Sequence, residues 1–189
     1  MRFRSVSPVP LALALTLALA ACSGGEQDDP LLAELGLDGS SGQQIVEQLE
    51  ASTDHRPLSI GASVREDHLV VTDGTDETTV PLPQDEFYVS IAPYMDQTHD
   101  CFYHSLGTCQ GELVGEEVAV TITGADGTVL VDETVTTHTN GFTGFWLPRD
   151  VEGGTIEVVH GQHEGRVPFS TTEGSPTCIT TLQLEPVGA

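Results

Sequence analysis

The chain has 189 residues, enough for one domain or two small ones, and carries 29 Asp and Glu against six basic residues, all of them Arg, for a formal charge of −23. Without a basic stripe it cannot hold nucleic acid through phosphate contacts, and anionic lipid repels it unless something anchors it. Hydrophobic residues make up 38%, lean for a core but too many for a wholly disordered chain.

Residues 1–21 read as a lipoprotein signal peptide. Met1-Arg2-Phe3-Arg4 is basic, and Leu11 to Ala20 is an apolar run. The run is shorter than the roughly 20 residues of a spanning helix. It ends in Leu19-Ala20-Ala21-Cys22, followed by Ser23-Gly24-Gly25, the lipobox pattern of bacterial lipoproteins. The expectation is cleavage before Cys22, acylation of its sulfur and anchorage in a bilayer at the extracytoplasmic face. The plainer alternative is an ordinary secretory site with an idle Cys. Cleavage removes Arg2 and Arg4 and no acid, leaving four Arg against the same 29 acids. Such a surface attracts cations and resists self-association.

Residues 22–30 are small, polar and acidic and read as a flexible tether. A small α+β unit is expected over 31–85. Leu31, Leu32 and Leu35 suit one helical turn stopped by Gly36. Ser41 and Gln44 form a capping box before Ile45, Val46 and Leu49, so a helix is expected over about 42–51. Alternation over Ile60–Val64, Leu69–Thr72 and Thr78–Leu82, with Asp73-Gly74 as a turn, predicts three strands. From 86 to 189 the chain reads as an antiparallel β-sandwich-like domain, so the whole is mainly β with a small helical N-terminal part. Strands are expected over Phe87–Ala92, Val118–Thr123, Val129–Val135, Phe142–Leu147, Ile156–Val159, Arg166–Phe169 and Ile179–Leu184. Asn140-Gly141 is the strongest hairpin dipeptide in the chain, and His160-x-x-His163 is expected at a hairpin tip.

The chemistry lies in the cysteines. Apart from Cys22 there are three, Cys101, Cys109 and Cys178. An odd number in an exported chain leaves a thiol over from any disulfide. His99 and His104 stand in the same segment as Cys101 and Cys109, and Cys178 precedes the last expected strand. Convergence of the two loops would bring three sulfurs together. Thiolates suit Cu(I) or Zn(II), and imidazole suits copper and zinc. A structural Cys101–Cys109 or Cys101–Cys178 disulfide with one buried spare thiol is the simpler alternative.

The stretch Tyr88-Val89-Ser90-Ile91-Ala92-Pro93-Tyr94, then Thr98-His99, Cys101, His104 and Cys109-Gln110-Gly111-Glu112, resembles the CueP family of periplasmic copper-resistance proteins. Asn140-Gly141-Phe142, Trp146-Leu147-Pro148 and Ser175-Pro176-Thr177-Cys178-Ile179-Thr180-Thr181 continue the likeness, which runs from about residue 31 and is densest after 86. The resemblance implies copper binding outside the cytoplasm, reduction of Cu(II) to Cu(I), and delivery of copper to Cu/Zn superoxide dismutase in some relatives. The family's three cysteines correspond to Cys101, Cys109 and Cys178. The lipobox departs from the soluble family pattern.

A mechanism follows from that likeness. Two thiolates that become a disulfide supply two electrons, and the third holds Cu(I). His99 and His104 would meet Cu(II) first, drawn by the acids Asp96, Asp100 and Glu112. Zinc is a possible substitute. The competing readings are a non-catalytic envelope lipoprotein with a structural disulfide and a structural zinc protein. A thiol–disulfide oxidoreductase of the Cys-x-x-Cys type and a Gly-x-Ser-x-Gly hydrolase both lack their motifs.

Overall fold

The computed structural model describes residues 29–188. The expected signal peptide, Cys22 and most of the expected tether lie outside them. Helix α1, Pro30–Glu34, starts on Asp29, whose carboxylate accepts the amides of Leu31 and Leu32. Helix α2, Gly42–Glu50, carries the expected capping box between Ser41 and Gln44. Ile45, Val46 and Leu49 are buried on one face of α2, and Glu50 is buried with them. Strands β1 (Gly61–Val64), β2 (His68–Thr72) and β3 (Glu77–Pro81) form an antiparallel sheet in that order. The turn between β2 and β3 is closed by Asp73, whose Oδ1 accepts the amides of Thr75 and Asp76. Among the described residues no helix is long and apolar enough to cross a membrane.

The remaining strands are β4 (Glu86–Ile91), β5 (Glu117–Thr123), β6 (Val129–Thr136), β7 (Thr143–Pro148), β8 (Gly154–His160), β9 (His163–Phe169), β10 (Cys178–Ile179) and β11 (Glu185–Pro186). They make a three-stranded sheet, β10-β4-β7, and a five-stranded one, β11-β9-β8-β5-β6. Alternation decides which side chains meet. Phe87, Val89, Ile91, Phe145 and Leu147 from the smaller sheet share one core with Val118, Val120, Ile122, Ile156 and Val158 from the larger. This is the sandwich expected from the sequence, antiparallel except for the short parallel β10–β4 pair. The reverse face of the smaller sheet is also covered. Tyr88 and Trp146 pack there with residues of α2, β1, β2 and β3 in a second core.

Two expectations need correction. Asn140-Gly141 makes a turn but not a hairpin, because β6 and β7 belong to different sheets. The turn carries the chain from one layer to the other, and the Asn140 side chain is buried rather than presented to solvent. The last strand is likewise not continuous over 179–184. It splits into β10, paired with β4, and β11, paired with β9, with Leu182 and Leu184 buried in the sandwich core between them. His160 and His163 do face each other across the β8–β9 hairpin.

Residues 92–116 connect β4 to β5 without regular strands, and a connection this long is ordered only if its backbone finds partners. Much of it is stitched to the N-terminal unit. The amides of Val64 and Leu58 donate to the carbonyls of His104 and Gly107, and the Leu106 amide donates to Ala62, each at 2.8 Å. The Arg56 Nε donates to the Leu106 carbonyl at 3.0 Å. The far end is held by the 140–141 turn. Gly111 donates to the Asn140 carbonyl at 2.6 Å, and Gly141, at φ +77, lies so close to Gly111 that a Cβ would meet its carbonyl carbon at 2.6 Å.

That crossing predicts that Gly141→Ala costs stability twice, through a left-handed backbone and through collision with Gly111. The expected loss is about 1–3 kcal/mol for the strain alone, and more with the collision. Gly127, at φ +84 with open space around it, is the control: Gly127→Ala should lose less in chemical denaturation of the same protein. Equal losses would show that the close approach is unimportant.

Candidate metal centre

Four of the residues singled out from the sequence converge. Ligand atoms of Cys101, His104, Cys109 and Cys178 all lie within 4.8 Å of one another. Cys101 and Cys178 are joined as a disulfide, with Cα atoms 5.7 Å apart, and among the described residues Cys109 is the free cysteine. The Cys109 Sγ is 3.5 Å from the Cys101 Sγ, and the His104 Nδ1 is 3.7 Å from the Cys178 Sγ. Cys101 is partly exposed, whereas the other three are buried.

Local structure explains the convergence. Cys178 opens β10 and lies opposite Ser90 of β4, so the parallel pairing places its sulfur at the mouth of the 92–116 loop. The Phe102 carbonyl accepts the amides of both Thr177 and Cys178. The Thr177 hydroxyl donates to the Val64 carbonyl at 2.8 Å and accepts the His104 amide at 2.9 Å. One side chain thereby ties the β10 segment, the cysteine loop and β1 together. Ala92 and Phe142 complete the apolar wall with Cys109 and Cys178. The Phe142 ring lies 4.5 Å from that of His104 and 6.0 Å from that of His99, centroid to centroid.

His104 is fully buried, and its Nε2 faces the Glu50 Oε2 at 2.9 Å. Glu50 in turn accepts from the Tyr88 hydroxyl at 2.9 Å and from the Asn140 Nδ2 at 2.8 Å. Burial opposes a charge on His104 most strongly, but the Glu50 carboxylate and Cys109 together outweigh it, and the imidazole is pushed up to about 9. Burial also opposes the Glu50 charge, yet His104, Asn140 and Tyr88 together hold that carboxyl below its ordinary value. Burial first, and the Glu50 charge second, push the Tyr88 phenol well up, so it stays a donor.

His99 does not join the cluster. It lines an adjoining cleft with Asp100, Cys109 and Glu112, and its Nε2 is buried without a hydrogen-bond partner. Glu112, expected among the anions that draw cations, also braces the start of the loop. Its Oε2 accepts the amides of Met95, Asp96 and Gln97. These amides, Asp96's foremost, hold its carboxyl below the usual range. Asp96 and Asp100 remain exposed.

The sequence reading missed Glu50, Tyr88, Asn140 and the placement of Phe142. Glu50 did leave a signal. It stands four residues after Val46 and one after Leu49, on the apolar stripe of an amphipathic helix, where a charge is buried only with partners. Asn140 left none, since Asn-Gly already accounts for itself as a turn.

Three sulfurs and an imidazole nitrogen in a mostly buried cluster suit a soft ion, Cu(I) or Zn(II), once the disulfide is opened. The buried pair also sets a pH dependence for the metal-free protein. His104 is raised from 6.5 to about 9 on folding. Its contribution is therefore whole below about pH 6.5 and is lost as pH rises through 9. Glu50, lowered from 4.5, contributes above that value and loses its contribution in acid. The urea midpoint should accordingly fall from pH 6.5 to above 9, and Glu50→Gln should flatten that limb. A limb identical in both proteins would contradict the ion pair.

Comparison with known proteins identifies the family. The family model for periplasmic copper-binding protein CueP matches residues 44–183. The crystal structure of S.CueP is 40% identical, with a TM-score of 0.78 over 82% of this chain and 94% of that one. No curated protein matches the chain. The matched segment takes in most of α2, strands β1 to β10 and every residue of the sulfur cluster, and the chain belongs to the CueP family of periplasmic copper-binding proteins.

Proposed function

We propose that this protein is an exported, lipid-anchored copper carrier that binds Cu(I) through Cys101, Cys109 and Cys178 and reduces Cu(II) on arrival. The observation that carries the reading is the cluster itself, three sulfurs and the His104 imidazole within 4.8 Å, in a chain of a copper-binding family. In the reduced protein the three thiolates and the His104 Nδ1 form the donor set. Exposed Asp96 and Asp100 draw cations to the cleft, where the His99 imidazole in its lining offers a nitrogen ligand that tolerates the divalent ion. Cys101 and Cys178 then give up one electron each. Their thiol protons leave, one S–S bond forms, and two Cu(II) become two Cu(I). Cys109 stays reduced beside His104 and keeps a soft ligand for the product. Turnover requires an external dithiol that reopens the bond. Zn(II) competes for the same donors without the redox step.

The cell-envelope placement rests on the lipobox at Cys22, and the recipient class is an exported copper enzyme such as Cu/Zn superoxide dismutase. Anchoring has a direct readout. The wild-type chain should partition with membranes and incorporate labelled palmitate, whereas Cys22→Ser should do neither. Labelled Cys22→Ser protein would refute the acyl anchor at that residue.

Redox function has a stoichiometric test. The fully reduced Cys22→Ser protein, mixed anaerobically with Cu(II), should yield Cu(I) in step with the loss of two thiols per chain. Mass mapping should place the new bond between Cys101 and Cys178 and leave Cys109 free. Thiols consumed by general oxidants without any Cu(I) would favour a structural disulfide instead. Unchanged Cu(I) affinity and Cu(II) reduction in Cys178→Ser would overturn the three-sulfur site.

A further inference from the structure

The copper reading uses one nitrogen of His104 and leaves the other side of the ring unexplained. That side belongs to the N-terminal unit. Glu50, the last residue of α2, is 2% exposed and reaches the ring across 54 positions of chain. Its two oxygens are completely engaged. Oε2 faces the His104 Nε2 and accepts the Tyr88 hydroxyl, and Oε1 accepts the Asn140 amide. The approach of Tyr88 is prepared by the opposite strand. A Cβ on Gly144 would collide with the phenol, so β7 has a gap where the hydroxyl must pass to Glu50. Asn140 is also committed twice, since its Oδ1 accepts the Phe142 amide at 3.0 Å and so fixes the turn that brings Phe142 against the His104 ring.

We propose that Glu50 is a positioning residue of the copper centre: by accepting the proton on the His104 Nε2, it commits Nδ1 to the sulfur cluster, with Tyr88 and Asn140 holding the carboxylate in place. This rests on the copper reading above. An imidazole binds a metal through one nitrogen while the other carries a proton, and the partner of that proton decides which nitrogen is which and how the ring is turned. Here the partner is supplied from outside the sandwich. Residues 31–85 therefore furnish the outer half of the site, and the sulfur-bearing domain by itself would hold His104 without a fixed orientation.

The test uses the full chain, reduced and loaded with Cu(I), which is diamagnetic. In the wild-type protein, nitrogen-15 spectra of the His104 ring should show copper on Nδ1 and a slowly exchanging proton on Nε2. Glu50→Gln should weaken Cu(I) binding by about 10–100-fold and lose that protected proton signal, while Glu50→Asp should recover part of both. Gly144→Ala, which displaces the Tyr88 hydroxyl without touching Glu50, should move the spectrum in the same direction by less. Copper on Nε2 in the wild-type protein would overturn the proposal even if Glu50→Gln failed to fold. So would a folded Glu50→Gln protein with unchanged affinity and ring signals. The Cys109→Ser variant separates the two readings. If it loses Cu(I) while Glu50→Gln does not, only the role of Glu50 falls. If the wild-type chain takes up no Cu(I), the copper reading falls with it.

Discussion

Strand β4 is buried on both faces and hydrogen-bonded along both edges, and the two cores and the sulfur cluster depend on its register. Phe87, Val89 and Ile91 point into the sandwich, while Tyr88 points into the N-terminal core. One edge pairs with β7 and the other with β10. A strand of this kind tolerates no slip, because a shift of one residue exchanges its two faces. Such a shift would drive the Tyr88 phenol into the apolar sandwich and take it from Glu50. It would also move Cys178 from its place opposite Ser90, away from the loop that carries the other two sulfurs.

The site is made where four segments meet at the end of this strand. The 92–116 loop brings Cys101, His104 and Cys109. The β10 segment brings Cys178, the 140–142 turn brings Asn140 and Phe142, and α2 brings Glu50. None of these could be held by burial alone, since the loop backbone is polar and must be paired once it is covered. Much of the pairing comes from the N-terminal unit, through Arg56, Leu58, Ala62 and Val64, and from the Thr177 hydroxyl beside β10. A small and otherwise featureless N-terminal unit is thus the frame on which the cysteine loop is spread.

Charge is distributed to match. The chain is strongly acidic overall, yet the acids near the site are not equivalent. Asp96 and Asp100 remain in solvent, Glu112 is spent on three backbone amides, and Glu50 is enclosed beside the imidazole. The first three carry their charge at or near the surface, where it acts on cations, while that of Glu50 is paired with His104. The interior of the centre is apolar sulfur and ring, with its one buried carboxylate fully hydrogen-bonded, which is the condition for keeping such a charge out of water.

The elements that depend on neighbours in sequence were legible from it. The Ser41–Gln44 cap, the alternation of Val118, Val120 and Ile122 and the turn at Asp73-Gly74 act within a few residues, so their physics is local. The cysteines and His104 were legible as chemistry, because an odd set of exported thiols leaves one sulfur outside any disulfide, with histidine nitrogens close by in the same segment, and the family likeness sharpened this. What pairs with what was not legible. The Asn140-Gly141 turn joins two sheets instead of two paired strands, and the chain after Cys178 divides between both, since sheet membership is decided by which faces can be covered at once. The union of Cys101 with Cys178, the separation of His99 from the cluster and the reach of Glu50 to His104 are likewise tertiary outcomes. Sequence determined which ligand types this protein owns; the packing of β4 between two layers decided which of them meet, because only there do distant segments share a buried and fully paired environment.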